Sequence, residues 1–178
     1  MQPETSDSVQ SEDSGFNLSH VQIRPVEFDD VKDIRTLLHG LDLLHAENMP
    51  HLFKILHDDT RKLSQVQNAL KDGHHFIAVL ENRLVAYINL MITEMGEDYP
   101  FVKNRCFGII DELVVHPDYQ RLGIGQKLVA AAEAFARSRG AEDIRLQVYA
   151  FNKNAQEFYD GLGYEPFALR MIKRFETS

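Results

Sequence analysis

A glycine-containing turn between two apolar segments constrains the fold of this chain more than any other feature. The turn is Gln-Arg-Leu-Gly-Ile-Gly, at residues 120–125. Residues 107–115 before it are mostly apolar and β-branched, which predicts a buried strand. Residues 123–140 are predicted to form a helix that ends at Gly140. Its apolar face consists of Leu128, Ala132, Phe135 and Ala136. This order places unpaired backbone amides at the start of the helix.

Such a turn is suited to binding a phosphate group. The N-terminus of a helix carries a partial positive charge, and glycine lets the backbone approach an anion closely. Arg121 adds a cationic side chain. The turn has only two close glycines and no Gly-Lys-Ser/Thr sequence, which disfavours a dinucleotide-binding fingerprint and excludes a P-loop. A tight strand-to-helix connection without a ligand is the alternative interpretation.

The remaining patterns predict an α/β (α+β) fold. Further strands are expected at residues 21–25, 75–80, 84–92, 144–149 and 167–172, and further helices at about 31–41, 59–71 and 154–161. With the segments around the glycine turn, the order is β-α-α-β-β-β-α-β-α-β. This order predicts a mixed sheet with helices on both faces. Residues 94–105, with Gly96 and Pro100, are expected to form a loop.

The composition predicts one folded domain after a disordered leader. Residues 1–20 are rich in Ser, Asp, Glu and Gln and have little apolar surface to bury. Residues 21–178 have the length of a single domain, with enough apolar residues to form a core without disulfides. Cys106 is the only cysteine, which excludes an internal disulfide and fits a cytoplasmic location.

The net charge of the chain limits the classes of partner that it is expected to bind. The formal net charge is −8, which argues against nucleic acid as the main partner. An acidic surface is compatible with cationic acceptors such as amines, although a role in solubility alone also explains it. No apolar run is long enough to span a bilayer, and the N-terminus lacks the features of a signal peptide, so no membrane partner is expected.

Two motifs of this chain resemble the GNAT superfamily of acetyl-CoA-dependent N-acetyltransferases. The first contains the glycine turn and reads Ile110-x-x-Leu113-x-Val115-x-Pro117-x-x-Gln120-x-x-Gly123-x-Gly125-x-x-Leu128. The second reads Leu146-x-Val148-x-x-x-Asn152-x-x-Ala155-x-x-x-Tyr159-x-x-x-Gly163-Tyr164. They cover about the C-terminal third of the chain, and the preceding elements agree with the family in their order. The resemblance implies a mostly antiparallel central sheet and a single GNAT domain at residues 21–178.

The resemblance also implies an activity. The chain is expected to move the acetyl group of acetyl-CoA directly to a primary amine of a small molecule or peptide, without an acyl-enzyme and without a metal. The alternative is a non-catalytic acyl-CoA-binding sensor or regulatory module of the same fold. Family members often form dimers, so a homodimer is one possible state, with the final predicted strand as a pairing edge.

For the cofactor, the resemblance implies a strand that separates from its neighbour and pairs with the pantetheine arm. Here that strand is residues 111–115, and the pyrophosphate is expected on the amides of the glycine turn. The implied cofactor-binding residues are Leu113, Val114, Val115, Gln120, Arg121, Leu122, Gly123, Ile124, Gly125, Gln126, Asn152 and Tyr159. Asn152 also precedes a predicted helix, where the role of an N-cap is an equally good interpretation.

For the chemistry, the resemblance implies a general acid and a general base. Tyr159 matches the tyrosine that protonates the departing thiolate, and packing on an amphipathic helix is the alternative. Asp111 and Glu112 are the candidate bases. Successive strand residues face opposite sides, so at most one faces the acceptor, with Asp111 preferred. A solvated or ion-paired acid is the alternative. Gln147 stands where relatives that acetylate protein N-termini have Glu or His, and an amide cannot act as a base.

The acceptor is expected to bind near the first two helices. Residues 45–53 are similar to a segment between these helices in bacterial GNAT proteins. This similarity implies Glu47, His51 and Phe53 as acceptor-binding residues, and packing of a helix connector is the alternative. The four histidines between residues 39 and 57 are spaced six apart, which is not the repeat of a helical face, so no metal site is expected.

Overall fold

The computed structural model describes residues 16–54, 61, 63–71, 73–96, 101 and 103–175. A five-stranded sheet lies at its centre, in the order β1-β2-β3-β4-β5. The strands are β1 (Gln22–Pro25), β2 (His74–Leu80), β3 (Arg83–Met95), β4 (Arg105–Val115) and β5 (Asp143–Leu146). Neighbours from β1 to β4 are antiparallel, whereas β5 is parallel to β4. The predicted mixed, mostly antiparallel sheet is therefore confirmed.

Helices cover both faces of this sheet, as predicted. In the described part of the chain they are α1 (Val31–Asn48), α2 (Leu63–Ala69), α3 (Ile124–Ser138) and α4 (Lys153–Asp160). The apolar side of α1 packs on one face together with Val66 of α2. Five buried residues of α3 pack on the other face, where Phe158 and Tyr159 of α4 join them. None of these helices is long and apolar enough to cross a membrane.

The third strand is the centre of the core because both of its faces are covered. Ile88 and Leu90 belong to the apolar cluster of α3, whereas Tyr87 belongs to the cluster of α1. This alternation follows from the strand geometry, in which successive side chains point to opposite faces. All three side chains are almost fully buried, so β3 holds the two helical layers on one frame.

A bulge in β4 interrupts its pairing with β3. Ile110 lies opposite Leu90 and Glu112 lies opposite Asn89, so Asp111 is an extra residue with no partner in the register. On the other side, β4 pairs with β5 only as far as Ile110, which lies opposite Leu146. The last five residues of β4 therefore continue along β3 without a strand on their outer side in the described chain.

Several predicted boundaries shift in the structure. The second helix is described from Leu63, whereas the sequence predicted a start at 59; residues 55–60 and 62 lie outside the described residues. The ends of the predicted loop at 94–105 belong to β3 and β4. The strand predicted at 144–149 ends at Leu146 because its neighbour diverges there and no further ladder forms.

The described residues just before β1 contact the body of the protein. Of the expected leader at 1–20, residues 1–15 lie outside the described residues. Leu18–His20 nevertheless forms a 3-10 turn, and the Leu18 side chain packs against the cluster of α3. The Lys127 ammonium on α3 also donates to the Leu18 and Val21 carbonyls, at 3.1 and 2.6 Å. These contacts attach residues 18–20 to the helix α3.

The prediction of a last strand at residues 167–172 is wrong, because no strand forms there in the structure. Residues 164–175 have no regular secondary structure, and β5 is the outermost strand of the described sheet. The apolar side chains that suggested a strand are exposed to solvent. A strand forms only with a hydrogen-bonded neighbour, and the described chain does not supply one here.

The packing of α3 predicts a large difference between two chemically identical substitutions. Leu128 on α3 is 0% exposed, whereas Leu44 on α1 is 40% exposed. Leu128→Ala leaves a cavity beneath β3 and should lower the free energy of unfolding by about 2–5 kcal/mol. Leu44→Ala should lower it by less than about 1 kcal/mol. Urea unfolding of both variants measures the difference, and equal losses would contradict the described core.

Candidate active site

The separation of β4 from β5 leaves an opening in the sheet, which we call the strand gap. Its two sides are residues 111–115 of β4 and residues 147–149, which follow β5 and form no strand. Backbone groups of a strand point alternately to its two sides, so part of those in residues 111–115 face the gap. No strand of the described chain pairs with them there. The separation expected from the sequence is present in the structure.

The glycine turn leads from the end of β4 to the start of α3. Arg121 and Gly123 both have left-handed backbone conformations, with φ of 63° and 81°. Backbone amides that follow such residues point into a shared concavity, which is a common anion site. Arg121 carries a side chain in a conformation that usually favours glycine, so this turn holds its shape at a cost in backbone strain.

The N-terminus of α3 is uncapped. Gly123 is the N-cap and provides no side chain, and the first turn has no acidic residue. The first amide of the helix with a described acceptor is that of Lys127, which donates to the Gly123 carbonyl at 3.1 Å. The amides of residues 123–126 have no acceptor in the described part of the chain. By contrast, α4 is capped: the Asn152 side-chain oxygen accepts from the Ala155 amide at 3.1 Å. An anionic phosphate fits the uncapped end of α3.

The two glycines of the turn are required for different reasons. Gly123 adopts a positive φ. A Cβ on Gly125 would lie 3.3 Å from the Phe158 ring and 3.6 Å from a Val115 methyl group. Gly125 therefore lets α4 pack closely on α3, which is a structural role that the sequence motif alone does not distinguish from an approach to a phosphate.

Two polar residues predicted to bind the cofactor also bond within the chain. The Gln120 side-chain amide donates to the Val115 carbonyl at 3.0 Å and so ties the turn to the end of β4. A carbonyl can accept a second hydrogen bond, so Val115 retains capacity. The Asn152 side-chain oxygen caps α4, while its amide nitrogen has no partner in the described residues. The N-cap interpretation of Asn152 is thus observed, and the nitrogen is available to a ligand.

Tyr159 lies on α4 among other aromatic rings. Its ring centroid is 5.1 Å from that of Phe158 and 5.4 Å from that of Tyr164. Its hydroxyl has no hydrogen-bond partner among the described residues. Burial raises the pKa of Tyr159 to about 12. Full proton transfer to a thiolate of pKa about 8.5 is then unfavourable by about 5 kcal/mol, so the hydroxyl is better suited to donating a strong hydrogen bond.

The two candidate bases on β4 differ in environment. Asp111 is exposed at the bulge. Glu112 is half-buried and forms an ion pair with Arg61, which also donates to the Asp42 carboxylate on α1 at 2.9 and 3.0 Å. Burial raises the pKa of Glu112, and the Arg61 guanidinium opposes this effect. Ile110 packs in the cluster of α3 whereas Glu112 pairs with Arg61, so the bulge breaks the alternation of faces along β4. Glu112 is therefore an ion-paired acid on the α1 side of the sheet.

An aromatic cluster connects α1 with the segment after β5. The His45 ring on α1 lies 5.3 Å from the Phe53 ring and 5.3 Å from the Tyr149 ring, and Phe151 completes the group at 5.9 Å from His45. We call these four side chains the aromatic wall. Burial lowers the pKa of His45, so its imidazole is neutral at pH 7. The wall bounds the side of the strand gap that faces α1.

The three predicted acceptor residues occupy different environments. Phe53 belongs to the aromatic wall. Glu47 is exposed on α1, and His51 is exposed after the helix, where its ring contacts the Arg174 guanidinium at 2.6 Å. The structure therefore brings only Phe53 of the three to the wall. Within the described residues, no three His, Cys, Asp or Glu side chains come together as a metal site.

Sequence reasoning missed three contributors to this region. Arg61 binds both Asp42, 19 positions before it, and Glu112, 51 positions after it, and no local spacing signals such a link. His45 begins the segment at 45–53 that was expected near the acceptor, but nothing in the sequence signals its contact with Tyr149. Tyr149 is the exception, since an aromatic residue directly after the strand that borders the expected separation was a usable signal.

Comparisons with known proteins give a family match that includes β4, the glycine turn, α3 and α4. The model of the acetyltransferase (GNAT) family matches residues 40–164. The [ribosomal protein bS18]-alanine N-acetyltransferase of Haemophilus ducreyi is 28% identical over 126 residues, which cover 65% of this chain and 83% of that protein. An uncharacterised N-acetyltransferase of Methanocaldococcus jannaschii is 38% identical over 78 residues. That match covers 41% of this chain and spans 34% of the length of the archaeal protein.

Solved structures share the fold at low sequence identity. A mutant of the BH1408 protein from Bacillus halodurans has a TM-score of 0.82 at 22% identity, covering 87% of this chain and 99% of that chain. The aminoglycoside N-acetyltransferase AAC(6')-Iy in complex with CoA has a TM-score of 0.69 at 17% identity, covering 89% and 96%. At these identities the structures show the fold alone.

The ion pair of Glu112 predicts that replacing Arg61 changes how the free energy of unfolding depends on pH. The folded-state pKa of Glu112 lies above its ordinary 4.5, so its contribution to stability falls as pH rises from 4.5 through the folded pKa. Arg61→Gln removes the opposing cation, so this loss should extend to higher pH. Urea unfolding between about pH 4 and 8 measures it, with Arg83→Gln, at an exposed arginine, as the control. Identical pH profiles for both variants would contradict the described pair.

Proposed function

The chain belongs to the acetyltransferase (GNAT) family, and from this premise we propose that it is an N-acetyltransferase. It moves the acetyl group of acetyl-CoA directly to a primary amine of a small molecule or peptide. The observation that carries the proposal is the strand gap beside the uncapped start of α3. The gap offers unpaired strand edge, and the helix start offers unpaired amides, so one elongated ligand with an anionic end can use both.

The cofactor site is assigned to β4, the glycine turn and α4. The backbone of Leu113, Val114 and Val115 supplies hydrogen bonds to the pantetheine arm. The amides from Gly123 to Gln126 supply hydrogen bonds to the pyrophosphate. The fit rests on the amides without acceptors in the described chain and on the lack of an acidic residue in the first turn of α3. The CoA complex of the aminoglycoside N-acetyltransferase with the same fold supports this ligand.

The side chains of the strand gap direct the proton transfers. Bound acetyl-CoA supplies a thioester, in which the acceptor nitrogen forms a bond to the carbonyl carbon as the carbon–sulfur bond breaks. Backbone amides of the gap polarise the carbonyl oxygen. The Tyr159 hydroxyl donates to the departing sulfur. Glu112 accepts the proton of the amine, directly or through water, and its raised pKa makes it a stronger base than an ordinary carboxylate.

Glu112 is proposed as the general base, whereas the sequence favoured Asp111. Asp111 is exposed at the bulge, whereas Glu112 is half-buried and connected through Arg61 to α1, which carries part of the aromatic wall. A base beside the acceptor surface is nearer to the amine proton than one in bulk solvent. Asp111 and Asp42 then add negative charge that favours a cationic acceptor.

An amine acceptor is supported by the relatives as well. The bS18-alanine N-acetyltransferase and the aminoglycoside N-acetyltransferase are both named for transfer to an amine. The first acts on a protein and the second on a small molecule. The aromatic wall offers apolar surface next to the carboxylates of the gap, which suits an acceptor with an apolar part beside its amine.

The proposal is tested by measuring thiol release from acetyl-CoA in the presence of polyamines, amino acids, aminoglycosides and short peptides. Release that depends on one class of acceptor supports the enzyme and identifies its substrate class. No release with any acceptor, together with a rise in melting temperature on adding acetyl-CoA, favours the non-catalytic sensor. No release and no thermal shift would overturn the proposal.

A proline in the first turn of α3 tests the amide contacts directly. Gln126→Pro removes one amide that has no acceptor in the helix, and proline is tolerated in the first helical turn. The dissociation constant of CoA should rise about 10- to 100-fold, since a hydrogen bond to a charged group contributes about 1.5–3 kcal/mol. Gln126→Ala keeps the amide and should leave it within about 3-fold. Calorimetric titration measures both variants, and equal affinities would contradict the assignment.

We predict that the hydroxyl of Tyr159 contributes to turnover and not to the binding of CoA. Tyr159→Phe keeps the ring packing against Phe158 and removes only the donor. We expect kcat to fall about 10- to 100-fold, with the dissociation constant of CoA changed by less than about 2-fold. Tyr164→Phe is a matched control, because its hydroxyl already donates to Glu133 on α3 at 3.1 Å. Equal kcat values in both variants would refute the role of Tyr159.

A further inference from the structure

The residues just before β1 form a short turn with its own hydrogen bonds. The His20 amide donates to the Asn17 carbonyl at 3.0 Å, and the Val21 amide donates to the Leu18 carbonyl at 3.2 Å. We call residues 17–21 the N-terminal turn. Because these bonds close the backbone on itself, the turn has a defined shape before the first strand begins.

The Leu18 side chain of this turn lies against the residue that caps α3. A Cβ on Gly123 would lie 3.1 Å from one Leu18 methyl group, so the leucine occupies the space beside this glycine. Gly123 has a left-handed backbone and begins the run of amides that have no acceptor in the described chain. Leu18 therefore covers one side of the glycine turn with apolar surface. Such a cover lowers the local dielectric constant, which strengthens hydrogen bonds from the nearby amides to an anion.

Lys127, in the first turn of α3, connects the N-terminal turn with the glycine turn. Its backbone amide donates to the Gly123 carbonyl at 3.1 Å. Its ammonium donates to the Leu18 carbonyl at 3.1 Å and to the Val21 carbonyl at 2.6 Å. One residue thus contacts the N-cap of α3 through its backbone and the N-terminal turn through its half-buried side chain. The position of the N-terminal turn is therefore tied to the start of α3.

The charge of Lys127 also favours an anion at this end of α3. The two carbonyl oxygens that accept from its ammonium carry partial negative charge, which would oppose a nearby phosphate. The ammonium offsets this charge and places a full positive charge in the first turn of the helix, where the described chain has no acidic residue. An ammonium has three donors, of which the two carbonyls take two.

We propose that Lys127 and Leu18 are positioning residues for acetyl-CoA, and that the N-terminal turn forms one side of the site for its pyrophosphate. The ammonium holds the turn on α3, and Leu18 then supports the glycine turn in the conformation that directs its amides toward the phosphates. This role depends on the proposed function, because the amides of residues 123–126 are the proposed donors to the cofactor. The N-terminal turn precedes residues 40–164, which the family model matches, so the family match does not imply the role.

Attachment of the chain before β1 is the alternative role of the same contacts. A purely structural attachment predicts that variants of Lys127 lose stability and bind the cofactor as tightly as the wild-type chain. The positioning role predicts that these variants bind the cofactor more weakly, with little change in the turnover of bound acetyl-CoA. The dissociation constant of CoA therefore separates the two roles, whereas the melting temperature does not.

Calorimetric titration of CoA into variants of the full chain tests the proposal. Lys127→Met keeps most of the side-chain volume and removes the ammonium, so the dissociation constant of CoA should rise about 10-fold. Lys127→Arg keeps a cationic donor and should restore the constant to within about 3-fold of the wild-type value. Leu18→Ala uncovers Gly123 and should raise it about 3- to 10-fold. The kcat at saturating acetyl-CoA should stay within about 2-fold in all three variants.

Two control variants separate affinity from stability. Lys32→Met removes an exposed lysine of α1, and Ile34→Val removes a methyl group from a fully buried side chain of α1, which lowers stability. Both should keep the dissociation constant of CoA within about 2-fold of the wild-type value. Wild-type affinity in Lys127→Met would overturn the positioning role and leave the proposed function standing. A wild-type chain that binds no CoA would overturn both.

Amide hydrogen exchange in the N-terminal turn provides a second readout. If the turn stabilises bound CoA, then bound CoA stabilises the turn by the same free energy. Saturating CoA should therefore slow exchange of the His20 and Val21 amides in the wild-type chain, and this slowing should be lost in Lys127→Met. Equal exchange with and without CoA in a wild-type chain that binds CoA would show that the turn is not coupled to the cofactor, and would also overturn the proposal.

Discussion

The site depends on β4 pairing with its two neighbouring strands over different lengths. It stays paired with β3 to its end but leaves β5 after Ile110, and the bulge at Asp111 lies at the point of separation. Because the outer groups of residues 111–115 have no strand partner in the described part of the chain, the sheet keeps an open edge in its interior, where backbone groups are normally paired. Both faces of β3 are packed against helices, so the strand that carries the separated end of β4 is fixed in the core.

The two halves of the proposed site are held to β4 from opposite faces. On one face, Gly125 leaves room for Phe158 of α4 and for Val115 of β4, so the start of α3 and Tyr159 are positioned together against the end of β4. On the other face, Arg61 connects Glu112 with α1, and the aromatic wall connects α1 with the segment after β5. The cofactor half is therefore built mainly from backbone, whereas the acceptor half is built from side chains brought together from distant positions.

This difference explains which parts of the fold and of the site could be predicted from the sequence. The order of elements from β1 to α4, the mixed sheet and the glycine turn follow from local periodicity and glycine placement, and the structure confirms them. The environment of Glu112 did not follow, because its partner Arg61 lies 51 residues away and the bulge at Asp111 breaks the alternation assumed for β4. The strand predicted at 167–172 has the local pattern of a strand but no neighbour in the described chain, and a pattern cannot specify whether its partner belongs to the same molecule.

The central claim is that the open edge of β4 and the amides at the start of α3 bind acetyl-CoA. Amide hydrogen exchange of the wild-type chain with and without acetyl-CoA measures this most directly. The account predicts slower exchange for the amides of residues 111–115 that face the gap and for residues 123–126, with those of β1 unchanged. Binding of acetyl-CoA without protection of these two segments would contradict it.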